Sequence, residues 1–139
     1  KQIHFKLVKF MRQNNCDIGT LASIIKNNQD LDNKNIVKVC VDKSLDNNDF
    51  LNAKDFFRIK KNLKSEKIYH HIGIYAFTST ALTKYVSFSR SKLEIERNLE
   101  QMRALENNLF INVGLSDSTP LGVDTAEDLK LVEKEMKLL

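Results

Sequence analysis

The chain has 139 residues, of which 42% are hydrophobic and 29% charged, and its net charge at pH 7 is +4. These values predict a single globular domain over residues 1–139, and no apolar run approaches the roughly 20 residues that a membrane span requires. No secretory signal is recognisable, and the two cysteines, Cys16 and Cys40, lack CxxC spacing. We therefore expect reduced thiols in a cytoplasmic protein.

The first half of the chain favours one helix followed by strands. A helix is predicted over residues 1–12, with an apolar stripe formed by Ile3, Leu7, Val8 and Met11. Strands are predicted over residues 17–25, 36–41, 55–59 and 71–77. The last of these contains Gly73, and a glycine inside a strand often marks a bulge or a close approach by a ligand.

The second half favours helices around one further strand. Helices are predicted over residues 80–86 and 93–106, and a strand over residues 109–115. The apolar face of the longer helix is expected to comprise Ile95, Leu99, Met102 and Leu105. Because strands and helices alternate only in part, the pattern predicts a mixed α/β layer.

A final helix is predicted after the sequence GVDTAEDL at residues 122–129. Thr125 is suited to be its N-cap and Asp128 the third residue of a capping box, and Leu129 begins an apolar face with Val132, Met136 and Leu139. Asp124 is not needed for that cap. Its carboxylate suits Mg²⁺, which takes hard oxygen ligands together with substrate phosphates. The alternative is that Asp124 only interacts with the helix dipole.

Lysine and arginine are concentrated between residues 54 and 67. Such a cluster is one feature of nucleic-acid binding. Few aromatic residues are interleaved with it, however, and no recognition-helix pattern is present. We therefore favour a solvated basic loop near an anionic substrate, and expect neither a nucleic acid nor a membrane as partner.

Four motifs occur in order along the chain. They are N-x-V-K-V at residues 35–39, H-x-G-x-Y-x-F at 71–77, L-E…L-E-Q-M-R-x-L-E within 93–106 and V-D-T-x-E-D-L at 123–129. Each is weak alone, but the ordered set resembles the 3-deoxy-manno-octulosonate cytidylyltransferases, or CMP-Kdo synthetases. The resemblance is firmest from residue 69 onwards.

The resemblance implies a Rossmann-like nucleotide-diphospho-sugar transferase fold with a mixed sheet. Members of the family also carry a basic phosphate-binding loop and a Q-G-D-E-P segment, neither of which occurs in this sequence. We therefore expect the C-terminal portion of such a domain, without its CTP-binding segment and inactive alone. The sequence departs from the family pattern at two positions. Phe57 stands where the family has a residue with a hydroxyl, and Arg97 stands where the family has a glutamate.

The activity implied by the resemblance is transfer of a cytidylyl group from CTP to 3-deoxy-manno-octulosonate (Kdo). Its products are CMP-Kdo, used in lipopolysaccharide synthesis, and pyrophosphate. Asp124 is then the catalytic residue and a ligand of Mg²⁺, and the protein is a homodimer. CTP and Kdo are the small-molecule partners.

The resemblance also implies a set of sugar-binding residues. Arg58 is expected to pair with the Kdo carboxylate, because a guanidinium binds carboxylates through two hydrogen bonds. His71 and Tyr75 share one face of a strand. With Glu100 and Gln101 they are expected to bind sugar hydroxyls.

Each of these residues also has an ordinary structural interpretation. Arg58 is alternatively a surface residue of the basic loop, and His71 and Tyr75 a half-buried, hydrogen-bonded pair. Glu100 is alternatively an ion-pair partner of Arg97 or Arg103.

Two other functions are kept open. One is the related acylneuraminate cytidylyltransferase, which handles a similar acidic sugar, although the H-x-G-x-Y and L-E-Q-x-R motifs favour Kdo. The other is a non-catalytic module that binds sugar or mediates dimerisation.

Overall fold

A computed structural model of the chain describes residues 2–61, 67–118, 122–123 and 125–137. Its helices and strands, in chain order, are α1 (Gln2–Gln13), β1 (Ile18–Ser23), a 3-10 turn (Asn28–Leu31), β2 (Lys38–Val41), β3 (Phe50–Asn52), β4 (Asp55–Phe57), β5 (Lys67–Phe77), α2 (Ser79–Ser87), α3 (Lys92–Arg97), α4 (Gln101–Glu106), β6 (Ile111–Leu115) and α5 (Ala126–Met136). No helix among these residues is long and apolar enough to cross a membrane.

The strands of the described residues form one sheet in the order β3-β6-β1-β5-β2-β4. β1 and β6 are parallel, whereas β1 and β2 both run antiparallel to the long strand β5. β4 and β3 pair antiparallel at the two edges. The predicted mixed sheet is thus confirmed, although β3, only three residues long, was not predicted.

Of the two features that Gly73 could mark, a bulge or a close approach by a ligand, the structure has the bulge. Thr20 of β1 pairs with Tyr75, but the next residue, Leu21, pairs with Ile72. β5 therefore carries two extra residues, Gly73 and Ile74, between these pairs. The extra residues bend β5 and set the direction in which Tyr75 leaves the sheet.

One face of the sheet is covered by α1. Leu7 and Phe10 are buried there with Leu21, Phe50 and Ile72, and the rings of Phe10 and Phe50 stack at 5.0 Å. The predicted stripe is wrong at Val8, which is 42% exposed, because the helix turns Phe10 rather than Val8 towards the sheet.

The opposite face is covered by α2, α3 and α4 over the larger core. Leu99 and Met102 are buried in it, together with Phe56 of β4. The prediction of one helix over residues 93–106 is wrong, because Asn98 adopts the left-handed conformation (φ 53°) and separates α3 from α4. Ile95 of α3 points away from the core and is 58% exposed.

Substitution at Asn98 tests the break between α3 and α4. Asn98→Val should lower the free energy of unfolding by about 1–2 kcal/mol, because a β-branched residue is disfavoured at positive φ. Asn98→Gly is the matched variant, and its melting temperature should equal or slightly exceed that of the wild type. Equal melting temperatures for the two variants would contradict this account of the break.

The last helix, α5, begins as predicted. Thr125 Oγ1 accepts from the Asp128 backbone N–H at 3.1 Å, and Asp128 Oδ2 accepts from the Thr125 N–H at 2.9 Å. The predicted burial is wrong for Leu129 and Met136, which are 48% and 68% exposed, since no described helix or strand covers them. Leu139 lies outside the described residues.

Candidate functional site

A cleft of about 500 Å³ opens between α2, β5 and the start of α4. We call it the α2–α4 cleft. Residues from five separate parts of the sequence line it, among them Ile18, Tyr75, Phe77, Tyr85, Glu100 and Gln101. Three of the predicted site residues, Tyr75, Glu100 and Gln101, therefore lie in the same cavity, and an apolar floor with a few polar groups is typical of small-molecule sites.

Tyr75 enters the cleft from β5, just beyond the bulge. Burial raises the pKa of its hydroxyl, and the neighbouring Tyr85 and Glu100 raise it further. The hydroxyl is therefore protonated throughout the physiological range. It can donate a hydrogen bond to a ligand as well as accept one.

Glu100 and Gln101 enter the cleft from the first turn of α4. The left-handed Asn98 ends α3 and starts the turn that carries both side chains. Glu100 occupies the N-cap position of α4, but its side chain makes no capping hydrogen bond. Its carboxylate is exposed at the cleft, where it can accept hydrogen bonds from hydroxyl groups.

The structural alternative for Glu100 is not realised. Arg97 donates to Asp55 Oδ1 at 2.5 Å instead. Arg103 pairs with Glu94 through two hydrogen bonds of 2.8 and 2.5 Å. Both arginines thus have other carboxylate partners, although the pKa of Arg103 is raised first by its hydrogen bonds to Glu94 and also by the charge of Glu100. Glu100 itself lines the cleft.

His71 lies beside the cleft rather than in its lining. Its ring is 5.4 Å from that of Tyr75 and 5.0 Å from that of Phe56, so His71 and Tyr75 share a face as predicted. The imidazole is buried, and burial with the charge of His70 lowers its pKa to about 3. It is consequently neutral at physiological pH and offers hydrogen bonds rather than a positive charge.

The tautomer of His71 follows from Thr20. Thr20 Oγ1 lies 2.6 Å from the Ile74 carbonyl oxygen, so its single proton is donated there. The contact of 2.9 Å between Thr20 Oγ1 and His71 Nε2 is then a bond that Nε2–H donates. Nδ1 is left as the acceptor of the ring.

Arg58 lies in a different place. It lines a second cleft, of about 320 Å³, together with Asp55, Lys60 and Arg97. Its guanidinium donates to the Lys34 carbonyl at 3.1 Å, and its own carbonyl accepts from the buried Lys38 ammonium. The structure therefore does not bring Arg58 into the α2–α4 cleft with Tyr75, Glu100 and Gln101.

Comparison with known proteins places this arrangement in a family. A family model described as "Cytidylyltransferase" matches residues 3–114. The chain belongs to the cytidylyltransferase family. The 3-deoxy-manno-octulosonate cytidylyltransferase of Bartonella tribocorum is 46% identical over 118 residues, which are 85% of this chain and 48% of that protein.

Two further relatives agree with this assignment. The 3-deoxy-manno-octulosonate cytidylyltransferase of Thermodesulfovibrio yellowstonii is 39% identical over 96% of this chain and 54% of its own length. A solved structure of CMP:2-keto-3-deoxy-manno-octonic acid synthetase complexed with CTP superimposes with a TM-score of 0.77 at 26% identity, over 95% of this chain and 54% of that one. The predicted resemblance and fold class are confirmed. The chain spans about half the length of the relatives it matches.

The predicted metal ligand of this cytidylyltransferase chain, Asp124, lies outside the described residues. The Thr125–Asp128 capping box is complete without it, as the sequence indicated. Within the described part of the chain, no group of three or more histidine, cysteine, aspartate and glutamate side chains is arranged to hold a metal ion. The role of Asp124 stays a prediction.

Tyr85 and Phe77 line the cleft but were not predicted as site residues. Their rings lie 5.6 Å apart and close one side of it. In the sequence both residues belong to the ordinary apolar pattern of a strand and a short helix. Only the packing of α2 against β5 shows that they face a cavity.

Proposed function

We propose that this chain forms the sugar-binding part of an enzyme that transfers a cytidylyl group from CTP to Kdo. The observation that carries the proposal is the convergence of Tyr75, Glu100 and Gln101 in one cleft of about 500 Å³. These residues stand in two separate motifs of the sequence. The membership of the chain in the cytidylyltransferase family, and the names of its relatives, support CTP and Kdo as the substrates.

In the proposed reaction, a hydroxyl oxygen of Kdo forms a bond to the α-phosphorus of CTP, and the bond from that phosphorus to the pyrophosphate oxygen breaks. Such a transfer depends mainly on positioning the reactants and neutralising charge. Glu100 accepts hydrogen bonds from sugar hydroxyls, and the protonated Tyr75 donates to a sugar oxygen. Gln101 contributes both donors and an acceptor.

His71 and Arg58 are the less central members of the proposed site. The neutral His71 contributes Nδ1 as an acceptor beside Tyr75. Arg58 remains the proposed partner of the Kdo carboxylate, which requires a sugar site extending towards the second cleft. Phe56 and His71, whose rings are 5.0 Å apart, are buried and line neither cleft.

Mg²⁺ is the proposed cofactor, with Asp124 as the ligand from this chain. When bound, the ion would neutralise phosphate charge and favour the departure of pyrophosphate. In the sequence Asp124 directly precedes Thr125, and the capping box of α5 is complete with Thr125 and Asp128. A carboxylate suits a hard cation.

The proposed setting is the cytoplasm, where a CTP-dependent step of lipopolysaccharide synthesis would find its nucleotide. Neither cysteine is in a disulfide, which is consistent with a reducing compartment. We also propose a homodimer. The family resemblance of the segment around Arg58 supports it, because that region contributes to the dimer in the family.

Titration of the 139-residue chain with Kdo tests the sugar-binding proposal. We expect saturable binding of Kdo, weakened about tenfold by Glu100→Ala, because a carboxylate bound to hydroxyls contributes charge-assisted hydrogen bonds. A neutral hexose should bind far more weakly. The matched control is Glu133→Ala on α5, which removes an exposed carboxylate away from the cleft and should bind Kdo like the wild type. Wild-type chain that is folded but does not bind Kdo would contradict the proposal.

A further inference from the structure

The L-E…L-E-Q-M-R-x-L-E motif contains more charged residues than the proposed sugar site uses. Glu94, an acidic residue of α3, is buried, with 1% of its surface exposed. Arg103, nine residues later, pairs with it through Nε and Nη2. The hydrogen bonds from Arg103 lower the pKa of Glu94 to about 2, so the pair is ionised at all physiological pH values.

This ion pair holds α3 and α4 together across the break at Asn98. Glu94 also accepts from the Ser91 backbone N–H at 3.0 Å, which fixes the start of α3. Glu106 at the end of α4 accepts from the Leu93 N–H at 3.0 Å. Both contacts between the helices join the first turn of α3 to α4, and the turn at Asn98 joins the other end of α3 to α4.

The same arginine connects this unit to α2. Its guanidinium carbon lies 4.9 Å from the centre of the Tyr85 ring, an arrangement suited to a cation–π contact. The hydroxyl of Tyr85 donates to the backbone carbonyl of Glu100 at 3.1 Å. Tyr85 itself packs on Phe77 of β5. A continuous set of contacts thus runs from the buried Glu94 through Arg103 and Tyr85 to the backbone of the residue that enters the cleft.

We propose that Arg103 and Tyr85 are positioning residues for the sugar site, which hold the backbone of Glu100 so that Glu100 and Gln101 face the cleft. This inference rests on the proposed function of the cleft as a Kdo site. Arg103 acts from outside the cleft lining, whereas Tyr85 lines the cleft and acts through its bond to Glu100. Neither role requires contact with the reacting atoms.

Tyr85→Phe is the most selective test, because it removes one hydroxyl and keeps the ring that packs on Phe77 and Arg103. The dissociation constant of Kdo from the 139-residue chain should rise about fivefold, the value of one net hydrogen bond. Arg103→Lys should also raise it, since a lysine keeps the positive charge beside Glu94 but loses the two-pronged pairing and the planar contact with Tyr85.

Tyr69→Phe is the matched control. Its hydroxyl accepts from the buried Leu45 N–H at 2.8 Å, away from the cleft, so its loss should lower the melting temperature more than the loss of the Tyr85 hydroxyl does. Kdo should nevertheless bind folded Tyr69→Phe like the wild type. If Tyr85 contributed only to stability, the variant with the lower melting temperature would also bind Kdo more weakly. Weaker Kdo binding by Tyr69→Phe than by Tyr85→Phe would therefore overturn the inference.

A double-mutant cycle with Glu100→Ala separates positioning from direct contact. If Tyr85 acts through Glu100, Tyr85→Phe should have little further effect on Kdo binding in the Glu100→Ala background. Independent, additive effects would mean that Tyr85 binds the sugar itself and would overturn the inference. Unchanged binding by Tyr85→Phe and Arg103→Lys would overturn it while leaving the sugar site intact. Absence of Kdo binding by the wild type would overturn the sugar site and the inference together.

Discussion

In a chain that also carries the CTP-binding segment, replacing Asp124 with asparagine is expected to reduce pyrophosphate release from CTP by about 100-fold or more. The substitution keeps the size and planarity of the side chain but removes the charged oxygen that the proposed Mg²⁺ site requires. Loss of one group that stabilises transition-state charge commonly has an effect of this size. The assay contains CTP, Mg²⁺ and Kdo, and compares the 139-residue chain with a chain extended through any upstream reading frame.

Asp128→Asn is the matched control for this prediction, because the two aspartates lie four residues apart around the start of α5. Asp128 belongs to the capping box, and an asparagine oxygen can still accept from the Thr125 N–H, so the substitution should lower stability only by the lost charge at the helix N-terminus, about 0.3–1 kcal/mol. Pyrophosphate release by the folded variant should be unchanged.

Three outcomes of the assay separate the functions considered. Activity in the extended chain alone, lost in Asp124→Asn, would support a CMP-Kdo synthetase in which Asp124 binds the metal. An Asp124→Asn enzyme that keeps full activity would contradict the metal role. Soluble, folded protein without activity in either form would favour the non-catalytic sugar-binding or dimerisation module.

Local sequence patterns predicted those elements whose signals lie within a few residues of one another. The capping box of α5 needs only Thr125 and Asp128, and both hydrogen bonds are present. Gly73, one glycine inside an apolar strand, indicated a bulge or a close approach by a ligand, and the structure has the bulge. The capping box could be predicted because its two hydrogen bonds connect residues three apart in sequence. The glycine indicates only that β5 is irregular, whereas its pairing with β1, more than fifty residues away, is seen only in the structure.

The break between α3 and α4 could not be predicted in this way. The apolar spacing of residues 93–106 fits one helix, and asparagine is only a weak helix breaker. What favours the break is the burial of Glu94 against Arg103, together with the bond from Tyr85 to the Glu100 carbonyl. These contacts depend on how α2, α3 and α4 pack together, which the spacing of apolar residues does not reveal.

The same distinction between local patterns and tertiary packing applies to the candidate site. Family resemblance supplied Tyr75, Glu100 and Gln101, and the structure adds that they line one cleft. Resemblance alone did not reveal that Arg58 lines another cleft, or that Tyr85 holds Glu100. Motifs identify residue types at fixed spacings, whereas the shape of a cavity depends on the side chains between them.

Acidification from pH 7 to pH 4.5 is expected to destabilise the chain by about 2–3 kcal/mol through His71 alone. Its pKa is lowered from an ordinary value of 6.5 to about 3 by burial and by His70. Between these values the unfolded chain binds a proton at this residue and the folded chain does not. Stability is therefore fully present above pH 6.5 and decreases as the pH falls, by up to about 1.4 kcal/mol for each pH unit.

Urea unfolding at several pH values measures this dependence. In His71→Gln the amide can still donate to Thr20 Oγ1 but cannot titrate, so the pH dependence between 7 and 4.5 should become much weaker. His4→Gln, which changes an exposed histidine of α1, should keep the wild-type dependence. His70 also has a pKa lowered by burial, so a smaller residual dependence is expected in His71→Gln.

The result also bears on the sugar site, because the neutral ring is what allows Nδ1 of His71 to accept a hydrogen bond beside Tyr75. Titration of Glu94 falls in a lower pH range than that of His71. Its pKa is lowered to about 2, so its contribution to stability is lost only as the pH falls from about 4.5 towards 2. If stability depended on pH in the same way in His71→Gln and in the wild type, folding would not lower the pKa of His71. The buried imidazole would then be protonated in the folded chain below about pH 6.5. Kdo binding through a neutral His71 would then be excluded at the pH where the proton is bound.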